Sequence, residues 1–383
     1  MRIVFPVGAF LALSLNTPVV AVAQDNDITA LRVAIEEMRA DYDTRIAELE
    51  RRLAVAEQNA AQANYASQQS TMAAAPAASS GAAAFNPAIG VVFQGQFRGF
   101  EGAGREGEEG LFLGETELVI KGNVDDKFAA KLTAALAFEG GESALGIEEA
   151  WVETTALPAG FGARMGRLAS GIGYLNEKHS HQWDFADQPL PYRAFMGGRY
   201  IDNGVQLRWL APTDLYVELG GELLQGEGDP SGMDSRSLFA NMGGDIGTSS
   251  SWMAGGSYLE IDDMTSLSVA HAIWKWAPQG NWKQQNLIFQ TEYFERRETS
   301  TETGWYAQAV FQPVQRWRFG LRADGLQLEA SDARRFTVMM DWSNSEFSRL
   351  RLQFGREDNG TDTGNEWGLQ YVHSIGAHGA HTF

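Results

Sequence analysis

The chain of 383 residues contains no cysteine. This absence excludes a disulfide scaffold, a thiolate metal site and a cysteine nucleophile. Basic residues are also few, with 30 Lys and Arg against 49 Asp and Glu and a formal net charge of −19 at pH 7. Because nucleic-acid binders neutralise phosphates with an excess of basic residues, we expect no nucleic-acid partner.

Aromatic residues are rare in the first part of the chain. Of 21 Phe, 11 Trp and 10 Tyr, only Phe5, Phe10, Tyr42 and Tyr65 precede Phe85. Long apolar runs are missing from the remainder, where none reaches the ~18 residues of a membrane-spanning helix. The sequence therefore predicts two unlike parts that meet near residue 85.

The N-terminus has the features of a secretory signal peptide. Arg2 precedes an apolar run over 3–22, and a closing Ala-Val-Ala predicts cleavage after residue 23. An N-terminal membrane helix is the alternative, which Pro6 and Pro18 within the run disfavour. We therefore expect the mature chain outside the cytoplasm.

The next segment has the apolar spacing of a helix that pairs with other helices. Spacings of three and four alternate, with one stutter, and charged residues occupy the other faces. A lone surface helix is the alternative. The Ala-, Ser- and Gln-rich stretch that follows cannot bury a core and reads as a linker. The predicted seam consists of Ile28, Leu31, Ile35, Met38, Tyr42, Ile46, Leu49, Leu53 and Ala56.

After residue 85 the apolar period is two. In 128–139 apolar residues alternate with small or polar ones, and the same alternation recurs in 205–209, 317–322 and 349–354. A soluble sandwich would show the same alternation, but here short turns alternate with longer polar loops. Counting the segments predicts about 16 strands, the even number that outer-membrane barrels require.

The last strand supports a membrane barrel most directly. At every second position from Trp367 to Phe383 the residue is mostly apolar or aromatic, and the chain ends on the aromatic ring of Phe383. Longer polar loops are predicted at 101–110, 140–146, 225–235, 295–303 and 357–365. The predicted fold is an all-β transmembrane antiparallel barrel with a water-filled lumen, preceded by a coiled-coil helix. The predicted segments are a signal peptide over 1–23, a coiled coil over 24–57, a linker over 58–84 and the barrel over 85–383.

This architecture, with several short motifs, resembles the phosphate-selective porin O and P family of Gram-negative outer membranes. The resemblance implies a homotrimeric passive pore whose coiled coil lies in the periplasm. The wider resemblance of the last strand to outer-membrane proteins implies that the terminal Phe383 serves as an assembly signal. Phosphate conduction in that family relies on inward lysines, whereas residues from 86 onward hold only 24 basic against 40 acidic residues. Phosphate is therefore a weak prediction for this chain. The motifs are Gly114-Glu-Thr-Glu-Leu118, Ile120-Lys-Gly122, Ile147-Glu-Glu-Ala-Trp-Val-Glu153, Gly166-Arg167, Gly204-Val-Gln-Leu207 and Gly304-Trp-Tyr306.

Charged residues of both signs are predicted to line the lumen, where they would orient polar solutes by a transverse field or merely remain hydrated. From the acidic excess we expect weak cation preference or none. The candidates are Glu115, Glu117, Lys121, Lys131, Glu139, Arg208, Arg318, Arg322, Arg349 and Arg351.

The segment over 166–204 departs from the alternation and is too long for an idle hairpin loop. We expect it to fold inward as the constriction, with candidates His179, His181, Asp184, Asp187 and Arg193. Two histidines and one carboxylate, His179, His181 and Asp184, also suit a divalent metal such as Zn²⁺, although surface histidines are the simpler interpretation.

Three other functions are alternatives for this sequence. The His-rich segment and the ending His378-Gly-Ala-His381 resemble zinc-regulated, TonB-dependent-receptor-like outer-membrane proteins in divalent metal supply, but a plug and ~22 strands are missing. A barrel-anchored tether with cell-wall contact through the coiled coil is a further alternative. An enzyme such as a lipase would need a nucleophile elbow beside a base such as His271, and no Gly-x-Ser-x-Gly is present, so we expect neither enzyme activity nor a cofactor.

The leading interpretation is therefore a porin that lets ions or small polar solutes diffuse passively across the Gram-negative outer membrane. Its expected partners are outer-membrane lipid, the barrel assembly machinery, two further copies of the chain in a homotrimer, and small ions or solutes.

Overall fold

The structure is a computed structural model. It describes residue 36 and residues 87–102, 109–139, 142–226, 232–262 and 264–376, with the backbone alone for 137–139, 142, 143 and 279. The predicted signal peptide and linker, the seam residues of the coiled coil and Phe383 lie outside these residues. The chain divides into two compact units, 1–80 and 81–383, and the described residues other than 36 belong to the second.

The second unit is built almost entirely of strands. One α-helix, α1 (Leu190–Met196), and three short 3₁₀ turns, Pro158–Gly160, Ser180–Gln182 and Pro278–Gly280, complete the described part. None of the described helices has the length and apolar character needed to cross a membrane. The strands are β1 (Ala88–Glu101), β2 (Gly110–Leu113), β3 (Thr116–Asn123), β4 (Phe128–Glu139), β5 (Glu142–Thr154), β6 (Phe161–Ala169), β7 (Ile201–Leu210), β8 (Tyr216–Leu224), β9 (Ser235–Ile246), β10 (Ser250–Ile261), β11 (Thr265–Trp276), β12 (Asn286–Arg297), β13 (Thr301–Val314), β14 (Trp317–Gln327), β15 (Asp332–Ser345), β16 (Ser348–Asp358) and β17 (Thr363–Gly376).

The sheet closes into a barrel. From β3 to β17 each strand pairs antiparallel with the next, and β17 pairs with β1 from Gly90 against Gly376 to Glu101 against Asn365. Both β2 and β3 pair with β1, so they form one strand with a break at 114–115. The result is a closed antiparallel barrel of 16 strands. The predicted all-β barrel and its strand number are confirmed, and the predicted coiled-coil helix before it stays a prediction.

The two faces of the wall differ as the period of two predicts. On β14 the exposed residues Trp317, Phe319 and Leu321 face outward, while Arg322, the residue after Leu321, is buried inside the barrel. On β16, Leu352 is exposed and its neighbour Arg351 is buried. A barrel surrounded by lipid and enclosing a polar lumen requires this apolar outer face and polar inner face.

The connections that the sequence predicted as short lie at one end of the barrel, called the turn end, and those predicted as longer polar loops lie at the other, called the loop end. At the turn end, 277–285 is longer than the predicted turn 277–280, because β12 begins only at Asn286. Three loop-end connections are shorter than the sequence predicted, among them 357–365, which is reduced to 359–362. The predicted loop 295–303 is reduced to 298–300, and β5 begins at Glu142 inside the predicted loop 140–146. At 295–303, a cross-strand ion pair between Arg296 and Glu302 extends the ladder into polar sequence.

By far the longest connection is the one between β6 and β7. Residues 170–200, named here the lumen segment, join two strands that are directly paired at Ala169 and Ile201. A hairpin does not need this length, since adjacent antiparallel strands can be joined by two residues. The extra chain is therefore available for another task.

Candidate functional site

The lumen segment lies inside the barrel. The Gly173 N–H donates to Ser257 Oγ of β10 at 2.8 Å, and the Ala186 N–H donates to Gln353 Oε1 of β16 at 2.8 Å. These two strands are six positions apart around the ring. One continuous segment can reach both inner faces only by crossing the lumen.

Local sequence explains the turn of helix in the middle of this segment. Pro189 precedes α1 and Pro191 lies in its first turn, where a missing N–H costs nothing. The helix ends at Gly197, whose φ of 60° is the left-handed conformation typical of a helix C-terminus. The helix then places Tyr192 edge-on against Phe294 of the wall, with 5.1 Å between ring centroids.

A buried carboxylate on β12 fixes the start of the lumen segment. Glu292 accepts hydrogen bonds from the Tyr174 N–H at 2.9 Å, from the Tyr192 hydroxyl at 3.0 Å and from the Tyr306 hydroxyl at 2.5 Å. Burial and this carboxylate raise the pKa of Tyr192 well above its ordinary value, so the hydroxyl remains a donor. At Gly173, with φ of 69°, a Cβ would lie 2.6 Å from the Tyr192 hydroxyl oxygen, so only glycine allows this approach.

Five arginines from three adjacent strands point into the lumen and form what we call the basic wall. The lumen segment meets this wall with two carboxylates: Asp184 pairs with Arg318, and Asp187 Oδ2 lies 3.0 Å from both Arg322 Nη2 and Arg335 Nη2. Burial alone would raise the pKa of Asp187, but Arg322 and Arg335 more than offset it and hold that pKa well below its usual range. The basic wall consists of Arg318 and Arg322 on β14, Arg335 on β15, and Arg349 and Arg351 on β16.

The same wall also holds the backbone of the lumen segment. Arg349 Nη2 donates to the His181 carbonyl at 2.8 Å, and Arg351 Nη2 donates to the Trp183 carbonyl at 3.0 Å. Arg351 is fully buried and its charge is balanced by Asp341, at 2.7 Å from Nε. Guanidinium groups suit this task because each offers several donors in a rigid plane.

Four carboxylates on another part of the ring form what we call the acidic wall. Here the lumen segment presents imidazoles: His179 Nδ1 lies 3.0 Å from an oxygen of Glu117 and 3.0 Å from one of Glu148, and His181 Nδ1 lies 3.0 Å from Glu117. The two rings stack with centroids 5.8 Å apart. The acidic wall consists of Glu115 at the break between β2 and β3, Glu117 on β3, and Glu148 and Glu149 on β5.

Two irregularities of the backbone place these carboxylates together. The register of β5 against β4 shifts beside Glu148, so that Thr133 pairs with Glu149 and Ala134 with Ile147. A bulge of this kind directs two successive side chains to one side of the sheet. At the break between β2 and β3, Glu115 accepts a hydrogen bond of 2.7 Å from Ser180.

The negative charge of the acidic wall raises the pKa of His179, which faces it. Burial alone would lower the pKa of His179, but the carboxylates of Glu117, Glu148 and Glu149 raise it to about 10. His179 is therefore an imidazolium at neutral pH when nothing else occupies its ring nitrogens. The lumen segment thus carries positive charge to the acidic wall and negative charge to the basic wall.

The structure separates the residues predicted from sequence as metal ligands. His179 and His181 lie together, but Asp184 lies against Arg318 on the basic wall. Carboxylates of the acidic wall occupy the place that Asp184 was expected to take. Arg193 lies farther toward the loop end, where it pairs with Glu357 at 3.0 Å.

The predicted pore-lining residues fall into several environments. Glu117, Arg322 and Arg351 are fully buried beneath the lumen segment, whereas Lys121 is exposed near the turn end and Glu139 is described by its backbone only. The remaining candidates, Glu115, Lys131, Arg208, Arg318 and Arg349, are partly exposed.

Several residues of the site were not predicted. Arg335 and Asp341 share one parity on β15 with Thr337 and Met339, so the alternation could have identified them. Glu148 gave no such signal, because its inward position depends on the bulge.

Solved structures that share this fold include outer-membrane porins and channels. The anion-selective porin from Comamonas acidovorans superposes with a TM-score of 0.55 at 11% identity, over 76% of this chain and 99% of that one. The outer-membrane channel DcaP of Acinetobacter baumannii gives 0.53 at 12% identity over 76% and 97%. The trimer form of OmpT from Vibrio cholerae gives 0.54 at 9% identity over 76% and 99%. At these identities the likeness shows the fold, which is that of a porin-like outer-membrane barrel.

Similarity in sequence leads to a closer relative. An uncharacterized protein of Aquifex aeolicus (strain VF5) is 30% identical over 341 residues, which cover 72% of this chain and 71% of that one. The chain belongs to the same family as this Aquifex protein. No protein-family model matches the sequence, so membership of the phosphate-selective porin O and P family stays a prediction.

Proposed function

We propose that the protein is a channel of the Gram-negative outer membrane through which ions or small polar solutes diffuse passively. The observation that carries this proposal is the partial exposure of charged side chains beside the lumen segment. Inward groups such as Arg208, Arg318 and Arg349 keep 25%, 18% and 17% of their side-chain surface exposed. A water-accessible space lined by charge is what polar solutes need in order to cross an apolar bilayer.

The lumen segment is the constriction in this proposal. It is held to both walls by charged pairs, and it narrows a lumen that 16 strands would otherwise leave wide. We do not propose phosphate as the solute, because the inward cations that line the basic wall are arginines, each engaged with a carboxylate or a carbonyl. An enzymatic function gains no support either, since neither ring nitrogen of the buried His271 has a hydrogen-bond partner among the described residues.

The proposed assembly is a homotrimer with the N-terminal coiled coil in the periplasm. The trimer form of a porin-like barrel of the same fold and the apolar seam over 28–56 support it. Deletion of 24–84 tests the arm: we expect the full chain to migrate as a trimer in mild detergent and the shortened chain as a monomer. A shortened chain that remains trimeric would assign assembly to the barrel.

Planar-bilayer recording of the purified full-length protein tests conduction. We expect discrete conductance steps that grow in proportion to salt concentration, as in a water-filled pore. A folded barrel that inserts into the bilayer and gives no steps would contradict the proposal.

A further inference from the structure

Beyond conduction, we propose that the acidic wall and His179 form a binding site for one divalent transition-metal cation of the zinc type, with Glu117, Glu148 and His179 as ligands. One ligand atom from each of these residues lies within 4.8 Å of the other two. The residues come from three separate elements, β3, β5 and the lumen segment. A bound cation would therefore join the constriction to the wall.

The spacing of the ligand atoms suits a small cation. His179 Nδ1 is 3.0 Å from Glu117 Oε2 and 3.0 Å from Glu148 Oε2. Tetrahedral zinc with bonds of about 2.0 Å requires ligand atoms roughly 3.3 Å apart. Since no two of the ligand atoms are more than 4.8 Å apart, side-chain shifts of up to about 1.5 Å bring the three atoms to that spacing.

One buried oxygen of the cluster lacks a regular partner. Glu117 is fully buried, and within the described part of the chain its Oε2 receives no hydrogen bond of normal geometry. The counter-charge that faces this oxygen is the ring of His179, and a metal ion between the two would take over that role with regular coordination. The atom faces His179 Nδ1, the same nitrogen that approaches Glu148.

The formal charges of the cluster leave room for two positive charges. The acidic wall contributes four carboxylates, and the fixed cations that contact it are Lys131, paired with Glu149, and Arg199, 3.2 Å from Glu148. With neutral imidazoles and all four carboxylates ionised, the cluster has a formal net charge of −2, which one divalent cation balances; if Glu115 is protonated beside Glu148, the formal charge is −1. The metal takes the place of the proton on His179, and Arg199, 3.3 Å from Nδ1, must turn toward Glu149.

The donor set selects the class of metal. One imidazole nitrogen with two carboxylate oxygens suits Zn²⁺ and neighbouring transition metals, whereas Mg²⁺ and Ca²⁺ prefer oxygen ligands alone. Glu148 and Lys131 are partly exposed, so water reaches the cluster from the lumen. A fourth position for water, or for His181 beside the site, completes the usual coordination number.

Zinc titration of chelator-treated, full-length protein in detergent tests the site, with calorimetry for stoichiometry and affinity. We expect one Zn²⁺ per chain. The variants Glu148→Gln and His179→Gln should each bind more weakly by over tenfold, since even loss of a residue that only hydrogen-bonds to a metal ligand typically costs about 10- to 100-fold in affinity. X-ray absorption at the zinc edge should show nitrogen and oxygen ligands with at least one imidazole.

Two controls separate this site from other zinc binding. Glu218→Gln removes an inward carboxylate that pairs with Arg208 outside the cluster, and the double variant His378→Gln with His381→Gln removes the C-terminal histidines. Both should bind zinc like the parent protein. All variants are first checked for the heat-dependent gel shift of a folded barrel, and one that fails is replaced by Glu117→Gln.

The site is refuted if the parent protein binds no stoichiometric zinc, or if folded Glu148→Gln and His179→Gln bind as tightly as the parent. Loss of zinc in the C-terminal double variant alone would also refute it. Conduction is recorded on the same preparations. A protein that conducts but binds no zinc overturns the site alone, and a protein that binds zinc but gives no conductance steps overturns the channel alone.

Discussion

At the scale of residues, the site is a matter of charge matched across a lumen. Asp187 illustrates this, because its carboxylate is shared by Arg322 and Arg335, which come from neighbouring strands. Neither arginine depends on it entirely: Arg322 Nε is also 3.0 Å from Asp324, and Arg335 Nη2 is 2.8 Å from Glu366. The carboxylate therefore anchors the lumen segment more than it neutralises the wall.

We expect Asp187→Asn to lower the free energy of unfolding by about 2 kcal/mol. This is less than the ~3–5 kcal/mol typical of a broken buried ion pair, because both arginines keep another carboxylate. Denaturant titration in detergent measures it. Asp126→Asn, at an exposed turn residue, is the matched control and should change stability little. An equal effect of the two substitutions would show that Asp187 is not an anchor.

The low pKa of Asp187 leads to a prediction about pH. A carboxyl whose pKa is lower in the folded state stabilises the fold at every pH above its unfolded value of about 3.9. This stabilisation is lost only as the pH falls through the lower, folded pKa. The difference in unfolding free energy between parent and Asp187→Asn should therefore stay constant, within about 0.5 kcal/mol, from pH 8 to pH 5.

Denaturant titrations of both proteins at several pH values check this constancy. Other titrating groups are common to the pair and largely cancel in the difference. A difference that shrinks between pH 8 and pH 5 would mean that burial, rather than Arg322 and Arg335, controls the pKa of Asp187.

At the scale of elements, regular strands were predictable and their irregularities were not. The alternation on β14 and β16 correctly predicted which side of the wall each residue faces, because a shift of one residue in register would place the arginines against lipid. The length of the lumen segment predicted that it is more than a hairpin connection, although its path across the lumen could not be predicted. What alternation cannot show is a bulge: Glu148 breaks the period, so the pairing of the acidic wall with His179 became visible only in three dimensions.

Asp184 shows a second limit of prediction at this scale. It follows His181 by three residues, and proximity in sequence suggested one shared site. The 3₁₀ turn Ser180–Gln182 and the extended residues after it carry Asp184 away to Arg318 instead. Short-range spacing predicts a common site only on a regular element, and this segment has no regular period.

Replacement of the lumen segment tests its role as constriction. The Ser170 N–H donates to the Tyr200 carbonyl at 3.1 Å, so the β6–β7 ladder continues to this pair, and Asn-Gly in place of 171–199 would close a regular hairpin. The uncovered wall charges would then be solvated by lumen water. We expect a folded barrel whose single-channel conductance is several-fold larger than that of the parent.

The matched control shortens a connection that does not enter the lumen. Residues 359–362 join β16 to β17 at the paired residues Asp358 and Thr363, and Asn-Gly can replace them in the same way. Conductance of this control should equal that of the parent. If both barrels conduct alike, the lumen segment does not limit the flow of ions.

At the scale of the whole molecule, net charge and lumen charge are different quantities. Residues from 86 onward carry 24 basic and 40 acidic residues, a net of −16. Much of the inner charge is internally paired, as between Arg351 and Asp341, and does not act on a passing ion. The partly exposed inward groups include both signs: cations such as Arg208, Arg318 and Arg349, and anions such as Glu218 and Asp184.

We therefore expect weak ion selectivity despite the acidic sequence. In a tenfold gradient of KCl the reversal potential should stay below a quarter of the limit of about 59 mV that a perfectly selective pore would give. Arg318→Gln and Arg349→Gln each remove an accessible cation and should shift this potential toward cation preference. Arg297→Gln is the control, because Arg297 is 67% exposed at the loop-end terminus of β12, pairs with Glu295 and belongs to neither wall. A parent protein with strong anion preference that Arg349→Gln abolishes would show that the arginines of the constriction outweigh the acidic excess of the whole chain.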